Sequence, residues 1–259
     1  SSLTPPDYDV AVSLVNPLEY IKVPVSQDWV FNATATNQGA MDVTGISLNV
    51  NVYDAGNALV HSANSTPYPN LMPGEETILS AASFSPNQPG IYTVKHLLSI
   101  TENDEIAFND SLVYILNVTD STYARTDGAI TGAIGVGNGT NDNAVIGQNF
   151  RLHNSDALNS VTFTLGDASI GDGPTPGDSV YVVVYDTDND GKPNSLLASS
   201  LSYTIQPSDA NGVTITLPFA GGAVSLGAGE YFVGIRETGA SITLLYSNDI
   251  FTAGKTWIN

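Results

Sequence analysis

The sequence feature that most constrains this fold is an alternation of apolar and polar residues with a period of two. Every second residue from Trp29 to Ala35 is apolar, and so is every second residue from Ile46 to Val52. Successive side chains of a β-strand point to opposite faces of its sheet, so this pattern predicts strands with one buried face. Clusters of Gly, Pro, Asn and Asp separate the runs, as turns between antiparallel strands require. We therefore expect an all-β protein.

The strand-like runs form two sets, which the polar stretch TDSTY at 119–123 separates. About seven runs precede this stretch, which is the strand number of an immunoglobulin-like sandwich. A similar number follow it. The predicted fold class is therefore all-β with two consecutive antiparallel β-sandwich domains, at residues 1–119 and 120–259.

The charge of the chain is strongly and evenly negative. Seven Lys and Arg residues oppose 26 Asp and Glu residues, for a net charge of −19. Residues 1–119 hold 2 basic and 12 acidic residues, and residues 120–259 hold 5 and 14. Because neither half offers phosphates a basic patch, the sequence argues against nucleic acids and anionic membranes as partners. No apolar run approaches the ~20 residues that span a bilayer, so membrane insertion is not expected.

Four short pieces of the first half occur in an order shared with a known family. They are TATNQG (34–39), LMPGEE (71–76), PGIYTVKHLLSI (89–100) and NDEIAFND (103–110). Together they resemble the CARDB-like immunoglobulin-type domains of secreted bacterial proteins, which have an Asn-x-Gly turn, a Pro-Gly turn and an acidic-Asn turn at these places. The resemblance covers most of the first domain and implies an immunoglobulin-like sandwich.

The second half resembles a jelly-roll-type module of secreted and cell-surface proteins of the Bacteroidetes. The matching pieces are VIGQNF (145–150), LNSVTFTL (158–165), VYVVVYDTDNDGKPNSLLASS (180–200) and LGAGEYFVGIRE (226–237). Asn194 stands where that family has a second glycine. The resemblance implies a jelly-roll-like domain at the extracellular face or cell surface. It also implies that the chain is part of a larger protein, in which a C-terminal sorting domain would direct export.

The stretch DTDNDGKPN at 186–194 is the part of the sequence that most suggests a metal. Asp186, Asp188 and Asp190 lie at positions 1, 3 and 5 of an EF-hand-type loop, and a glycine follows at position 6. Position 12, which requires a bidentate carboxylate, is Leu197, so a complete EF-hand loop is excluded. Two interpretations stay open: a structural calcium site at the three aspartates, or a hairpin turn that needs no metal.

Aromatic side chains suggest a ligand-binding surface on the strand that precedes this stretch. In SVYVVVYD, Val180, Val182 and Val184 alternate with Tyr181 and Tyr185. The all-valine row is the natural core face, which places both tyrosines on the opposite face of the sheet. Tyrosine rings on a sheet can stack against sugars, so Tyr181 and Tyr185 are candidate polysaccharide-binding residues. Alternatively, they pack under a loop or against the first domain.

Residues typical of an active site are scarce. His61, His96 and His153 show no metal-ligand spacing, and we expect His96 to be a partly buried, hydrogen-bonded strand residue. Glu230 and Glu237 flank one strand and are the carboxylates most compatible with glycoside hydrolysis. We nevertheless expect no enzyme in this chain and no cofactor other than structural calcium.

The sequence therefore predicts a non-catalytic accessory, spacer or adhesive fragment of a larger secreted or surface-anchored bacterial protein. Its partner would be a polysaccharide or another extracellular protein. Two alternatives stay open. One is a carbohydrate-binding module that acts through aromatic residues of the second domain. The other is the accessory region of a secreted hydrolase, a peptidase or glycosidase, whose catalytic domain lies outside this chain.

Overall fold

The regular structure of this protein is almost entirely β-strand. A computed structural model describes residues 5–14, 20–126, 128–135, 144–166, 174–238, 242–247 and 256–258. Within these ranges, one short 3-10 helix occurs at Pro207–Ala210. No helix in the described ranges has the length and apolar composition that a membrane crossing requires.

The chain divides into two compact units, Ser1–Ala124 and Arg125–Asn259. The strands of the first unit are β1 (Val10–Leu14), β2 (Lys22–Pro24), β3 (Trp29–Asn37), β4 (Val43–Tyr53), β5 (Leu59–Asn64), β6 (Tyr68–Leu71), β7 (Glu76–Phe84), β8 (Gly90–Ser99) and β9 (Ser111–Thr119). Those of the second unit are β10 (Gly132–Gly135), β11 (Val145–Leu152), β12 (Asp156–Leu158), β13 (Ser160–Thr164), β14 (Ser179–Thr187), β15 (Pro193–Ser199), β16 (Tyr203–Thr204), β17 (Thr214–Pro218), β18 (Val224–Leu226), β19 (Gly229–Thr238), β20 (Thr243–Tyr246) and β21 (Thr256–Ile258).

The first unit is a sandwich of two sheets. The smaller sheet has the strand order β1-β3-β7, and the larger has the order β2-β9-β8-β4-β5, with β6 also paired to β4. The alternating apolar residues of β3, from Trp29 to Ala35, and of β4, from Ile46 to Val52, are buried. Both core rows predicted from the period of two are therefore confirmed.

One pairing of the first unit differs from the antiparallel prediction. β2 pairs with β9 in parallel, with Lys22 opposite Asn117. Parallel strands need a long connection, and the chain between β2 and β9, which contains β3 to β8, provides it. The chain then leaves β9 and returns to β2, where Ala124 N–H donates to the Lys22 carbonyl at 2.9 Å. The division between the units accordingly falls after Ala124, whereas the sequence prediction sets it after residue 119.

The second unit is built around a six-stranded sheet. This sheet has the order β15-β14-β19-β11-β21, with β16 also paired to β14, and the two-stranded ladders β10-β20, β12-β18 and β13-β17 complete the unit. All of these pairs are antiparallel. Val180, Val182 and Val184 of β14 are fully buried, and Ile146 and Ile235 lie buried beside them. The predicted fold class, all-β with β-sandwich domains, is confirmed.

Candidate functional site

Tyr181 and Tyr185 lie on the face of the six-stranded sheet opposite to the valine core, as the alternation of β14 predicts. Both side chains are half-buried. Tyr185 is directly opposite Phe232 of β19, and its ring contacts the Phe232 ring edge-on at 6.1 Å between centroids. Tyr181 is opposite Arg236, whose Nη1 donates a long hydrogen bond of 3.5 Å to the tyrosine hydroxyl. We call this surface the tyrosine face.

The tyrosine face is itself packed. Val145, Val183 and Phe232 are buried there, and both tyrosines pack against them. Two glycines leave room for the Phe232 ring. A Cβ atom added to Gly147 would lie 2.6 Å from Phe232 Cζ, and one added to Gly234 would lie 2.6 Å from Phe232 Cε1. Tyr181 and Tyr185 therefore stabilise a second apolar layer while one part of each side chain stays accessible.

Asn149, which the sequence did not single out, joins the tyrosine face to the acidic hairpin. The Asn149 side chain is buried, and its Nδ2 donates to the Gly191 carbonyl at 2.6 Å and to Glu230 Oε1 at 2.7 Å. Gly191 has a φ of 76°, in the left-handed region that favours glycine. A Cβ atom there would also come within 3.4 Å of both Asn149 Nδ2 and Glu230 Oε1. The hairpin is thus fixed to the sheet by a contact that spans 42 residues of sequence.

The hairpin loop, residues 186–192, uses its carboxylates to hold the turn. Asp188 Oδ1 accepts the backbone N–H groups of Asp190 and Lys192, both at 2.9 Å. Asp186 Oδ1 accepts the Ser195 N–H, and Asp190 Oδ2 lies 3.4 Å from the Lys192 ammonium. These contacts are the ones that a tight, hydrated turn requires.

Calcium binding by Asp186, Asp188 and Asp190 stays a prediction. In the part of the chain that the structure describes, no group of three or more Asp, Glu, His or Cys side chains is arranged to hold a metal ion. A cation at the hairpin loop would therefore have to compete with the backbone hydrogen bonds of Asp188 and Asp186.

Glu230 and Glu237 do not share a surface. They lie near the two ends of β19, an odd number of residues apart, so they project from opposite faces of the sheet. Glu237 is buried, and its Oε2 accepts the Ile242 N–H at 2.7 Å. Glycoside hydrolysis by either common mechanism needs two carboxyl groups that flank one bond, and this pair lacks that geometry.

His96 lies in an aromatic cluster between the two sheets of the first unit. The side chain is 1% exposed, and the rings of Phe31 and Tyr114 contact it edge-on at 5.8 and 5.5 Å. Neither ring nitrogen of His96 has a hydrogen-bond partner among the described residues, so the prediction of a hydrogen-bonded histidine is wrong. Burial lowers the pKa of His96 to about 4, which keeps the ring neutral near pH 7.

Four oxygen-bearing side chains meet where the start of β1 contacts the loop before β9. They are Asp9, Asp104, Asn109 and Asp110, and we call them the aspartate cluster. Asp104 accepts the N–H groups of Val10 and Ile106, each at 2.8 Å. Asn109 Nδ2 donates to Asp9 Oδ1 at 2.9 Å. Sequence patterns could not reveal this cluster, because Asp9 and Asn109 are 100 residues apart.

Two carboxylates of the aspartate cluster are buried close to a third. The side chains of Asp9 and Asp110 are 4% and 7% exposed. The pKa of Asp110 is raised to about 7 by burial first, and then by the neighbouring carboxylate of Asp104, a side-chain hydrogen bond between Asp110 and Asp104, and the carboxylate of Asp9, in that order.

The outward side of the larger sheet in the first unit carries exposed aliphatic residues. Ile91, Leu97, Val113 and Ile115 are between 45% and 55% exposed. They lie on the adjacent strands β8 and β9, whose alternate residues, such as Val94 and Leu116, fill the core. We call these four residues the aliphatic face.

Comparisons with known proteins reveal only distant similarity. No protein-family model and no curated protein matches the chain. A crystal structure of the CARDB domain of PF1109 from Pyrococcus furiosus, in complex with di-metal ions, is 21% identical with a TM-score of 0.36. This match covers 46% of the present chain and 95% of the other. A solution structure of the same domain is 19% identical with a TM-score of 0.34, and the match covers 46% and 100% of the two chains.

A third solved structure is similar over more of the chain. It is the secreted serine protease VesC from Vibrio cholerae, which is 13% identical with a TM-score of 0.26. The match covers 90% of the present chain and 50% of the protease chain. Similarity to a CARDB domain thus extends over about 46% of the chain, and the similarity to the protease is weaker.

Proposed function

We propose that this chain is a non-catalytic binding fragment of a larger secreted or surface-anchored bacterial protein, and that its aliphatic face contacts another extracellular protein. The exposure of Ile91, Leu97, Val113 and Ile115 on two adjacent strands is the observation that supports this proposal. Ile115 lies diagonal to Ile91, and Val113 lies diagonal to Leu97, with Thr93 and Lys95 of β8 between the two pairs. Exposed apolar side chains that are grouped on one surface typically mark an interaction site. The same sheet face also carries small polar residues, such as Ser47 and Ser99, so aliphatic side chains are not required there by the fold.

The buried ionisable groups support a non-catalytic role. His96 is held between aromatic rings, and Asp104 holds backbone amides at the start of β1. Glu237 holds the backbone at Ile242. Asp104 and Glu237 are thus engaged with the backbone, and the His96 ring is enclosed by the core, whereas a catalytic acid or base must reach a substrate.

The experiment is a binding assay of the purified chain on an array of extracellular matrix and serum proteins. Ile115→Lys places a charge in the centre of the aliphatic face, and we expect it to reduce binding at least tenfold. Ile78→Lys is the matched control, because Ile78 is 60% exposed on β7 of the other sheet. Equal loss in both variants, or no protein bound by the wild-type chain, would refute the proposal.

The second candidate function is polysaccharide binding by the tyrosine face. The observation that favours it is that Tyr181 and Tyr185 are half-exposed on one face, with the polar side chains of Arg236 and Glu230 on the same face of β19. Affinity electrophoresis in polysaccharide-containing gels tests this role. Tyr185→Ala should reduce retention, whereas Phe108→Ala, which removes an aromatic ring that is 85% exposed in the first unit, should not. Unchanged retention with a lowered melting temperature would assign Tyr185 to packing alone.

An accessory role beside a secreted hydrolase is the remaining alternative for the parent protein. The domains that flank this chain in the full-length gene distinguish it from an adhesive parent. A peptidase or glycosidase domain would favour the accessory role, and further β-sandwich repeats would favour adhesion.

A further inference from the structure

Two oxygen atoms of the aspartate cluster are buried without a hydrogen-bond donor. They are Asn109 Oδ1 and Asp110 Oδ1. A buried acceptor that loses its contact with water and gains no donor costs free energy, and native proteins rarely leave two such atoms in one place. The Asp110 side chain as a whole is only 7% exposed, so water has little access to it. A hydrogen-bond donor or a cation would satisfy both oxygens.

Among the described residues of the first unit, no positive charge is paired with the cluster. The first unit contains two basic residues, Lys22 and Lys95, and neither forms an ion pair with a cluster carboxylate in the described residues. Lys95 lies instead over the ring of Tyr53, 4.9 Å from its centroid. Asp9 and Asp110 thus lie in a poorly hydrated space beside Asp104 without a cation from the described residues of the first unit, an arrangement that opposes full ionisation.

The four side chains of the cluster have different tasks. Both oxygens of Asp104 accept backbone N–H groups, so Asp104 positions the start of β1 against the loop. Asn109 and Asp110 each keep an oxygen that no donor satisfies, and Asp9 is held next to Asn109 by its amide group. The available ligands are therefore carboxylate and amide oxygens, with no nitrogen or sulfur among them.

We propose that the aspartate cluster binds a hard divalent cation, calcium, through the side-chain oxygens of Asp9, Asn109 and Asp110. Calcium in proteins prefers carboxylate and amide oxygens and tolerates irregular geometry. The cation would provide the charge that the cluster lacks and a partner for the two unsatisfied oxygens. No group of three or more Asp, Glu, His or Cys side chains among the described residues is arranged to hold a metal ion. The proposed ligand set is of another kind, since it combines two carboxylates with one amide oxygen.

Such a site would tie the first strand to the rest of the first unit. Its ligands come from the residue before β1 and from the two residues before β9. The backbone already links these segments, since Val12 N–H donates to the Asn109 carbonyl at 2.9 Å. The ligands are brought together only by folding, so calcium would bind the folded chain in preference to the unfolded one and raise its melting temperature.

Isothermal titration calorimetry of the full chain with calcium chloride at pH 8 tests the proposal. The titration uses the Asp188→Ala background, so that the hairpin loop does not contribute. We expect one binding event and a higher melting temperature in millimolar calcium than in EDTA. Asp110→Asn and Asp9→Asn should each weaken calcium binding at least tenfold, while Asn109→Asp, which keeps an oxygen ligand, should retain it.

Three results would overturn the proposal. The first is no heat and no change of melting temperature up to 10 mM calcium, above the roughly 10⁻⁴–10⁻³ M range of weak extracellular sites. The second is unchanged binding in both Asp110→Asn and Asp9→Asn. The third is an Asp110→Asn chain that is more stable than its parent, with no effect of calcium on either chain. That result would mean that the carboxyl groups of the cluster share a proton and need no cation. Circular dichroism of each variant verifies that it is folded.

Discussion

The hairpin loop of the second unit and the aspartate cluster of the first unit are both rich in carboxylates, yet their environments are opposite. In the hairpin loop the carboxylates of Asp188 and Asp190 are exposed and have partners within the turn. In the aspartate cluster, Asp9 and Asp110 are buried, and oxygens of Asn109 and Asp110 have no donor. The hairpin loop is contiguous in sequence, whereas the cluster is assembled by the fold.

This difference shows that the number of carboxylates in a region does not by itself decide the free-energy cost of ionising them. Solvent screens repulsion between exposed carboxylates, so three of them in five residues cost little. Buried carboxylates lose hydration, and each one raises the free energy of ionising its neighbour. A run of acidic residues is therefore a weaker indication of a strained or ligand-binding site than a few acidic residues that the fold buries.

The largest expected effect comes from His96, the buried ionisable group of the aromatic cluster. Its pKa is about 4 in the folded chain and near 6.5 in the unfolded chain, so the unfolded chain takes up the proton first. The stability that depends on His96 is consequently complete above about pH 6.5 and is lost as the pH falls toward 4, by up to about 3 kcal/mol. Asp110, whose pKa is raised to about 7, acts in the opposite direction over this range, so the effect of His96 is the difference between the wild-type chain and a His96 variant.

The free energy of unfolding of the first unit, obtained from its urea transition at several pH values between 7 and 4, measures this contribution. His96→Phe should reduce the loss of stability on acidification relative to the wild-type chain. Identical pH profiles for the two chains would mean that water reaches His96 in the folded state. The contrast between buried ionisable groups in the first unit and exposed ones in the hairpin loop would then not hold for His96.

The next largest effect is expected for Asp104, which accepts two backbone N–H groups. Asp104→Ala leaves both donors without a partner and should lower the free energy of unfolding by about 2 kcal/mol. Asp104→Asn is the control, because an amide oxygen can still accept one of the two bonds while the charge is removed. If Asp104→Ala cost no more than Asp190→Ala in the exposed hairpin loop, the distinction between the two regions would fail.

A smaller effect is expected when the hairpin loop is released from the tyrosine face. Asn149→Ala removes the hydrogen bonds to Gly191 and Glu230 and should cost about 1 kcal/mol. Amide hydrogen exchange should accelerate in residues 186–192 and stay unchanged in the first unit. Asn51→Ala is the control, since the one side-chain hydrogen bond of Asn51 among the described residues goes to Asn49 on the same strand, β4. Unchanged exchange in the hairpin loop would show that the turn is rigid without its anchor.

Features that depend on neighbouring residues in the sequence could be predicted, whereas features that depend on residues brought together by the fold could not. Periodicity identified the core rows of β3, β4 and β14, because strand geometry alone decides which residues share a face. It could not identify the partner of Asn149, which lies 42 positions away, or the approach of Asp9 to Asp110, which come from opposite ends of the first unit. It also failed for the hydrogen bonding of His96, since neighbours in space and not in sequence surround that ring with aromatic groups.

The smallest expected effect concerns calcium at the hairpin loop. Asp188 Oδ1 already accepts two backbone N–H groups, and no carboxylate occupies the twelfth position of the loop, so any affinity should lie near the weak limit of roughly 10⁻³ M. At 1 mM calcium such a site raises the free energy of unfolding by about 0.4 kcal/mol. The measurement requires the Asp110→Asn background, in which calcium binding by the aspartate cluster is weakened at least tenfold. Asp188→Ala in that background should abolish the remaining rise of the melting temperature between EDTA and calcium. A rise that survived Asp188→Ala would place the cation elsewhere, and no rise before the substitution would leave the hairpin loop as a hydrated turn, whose carboxylates satisfy the backbone and bind no metal.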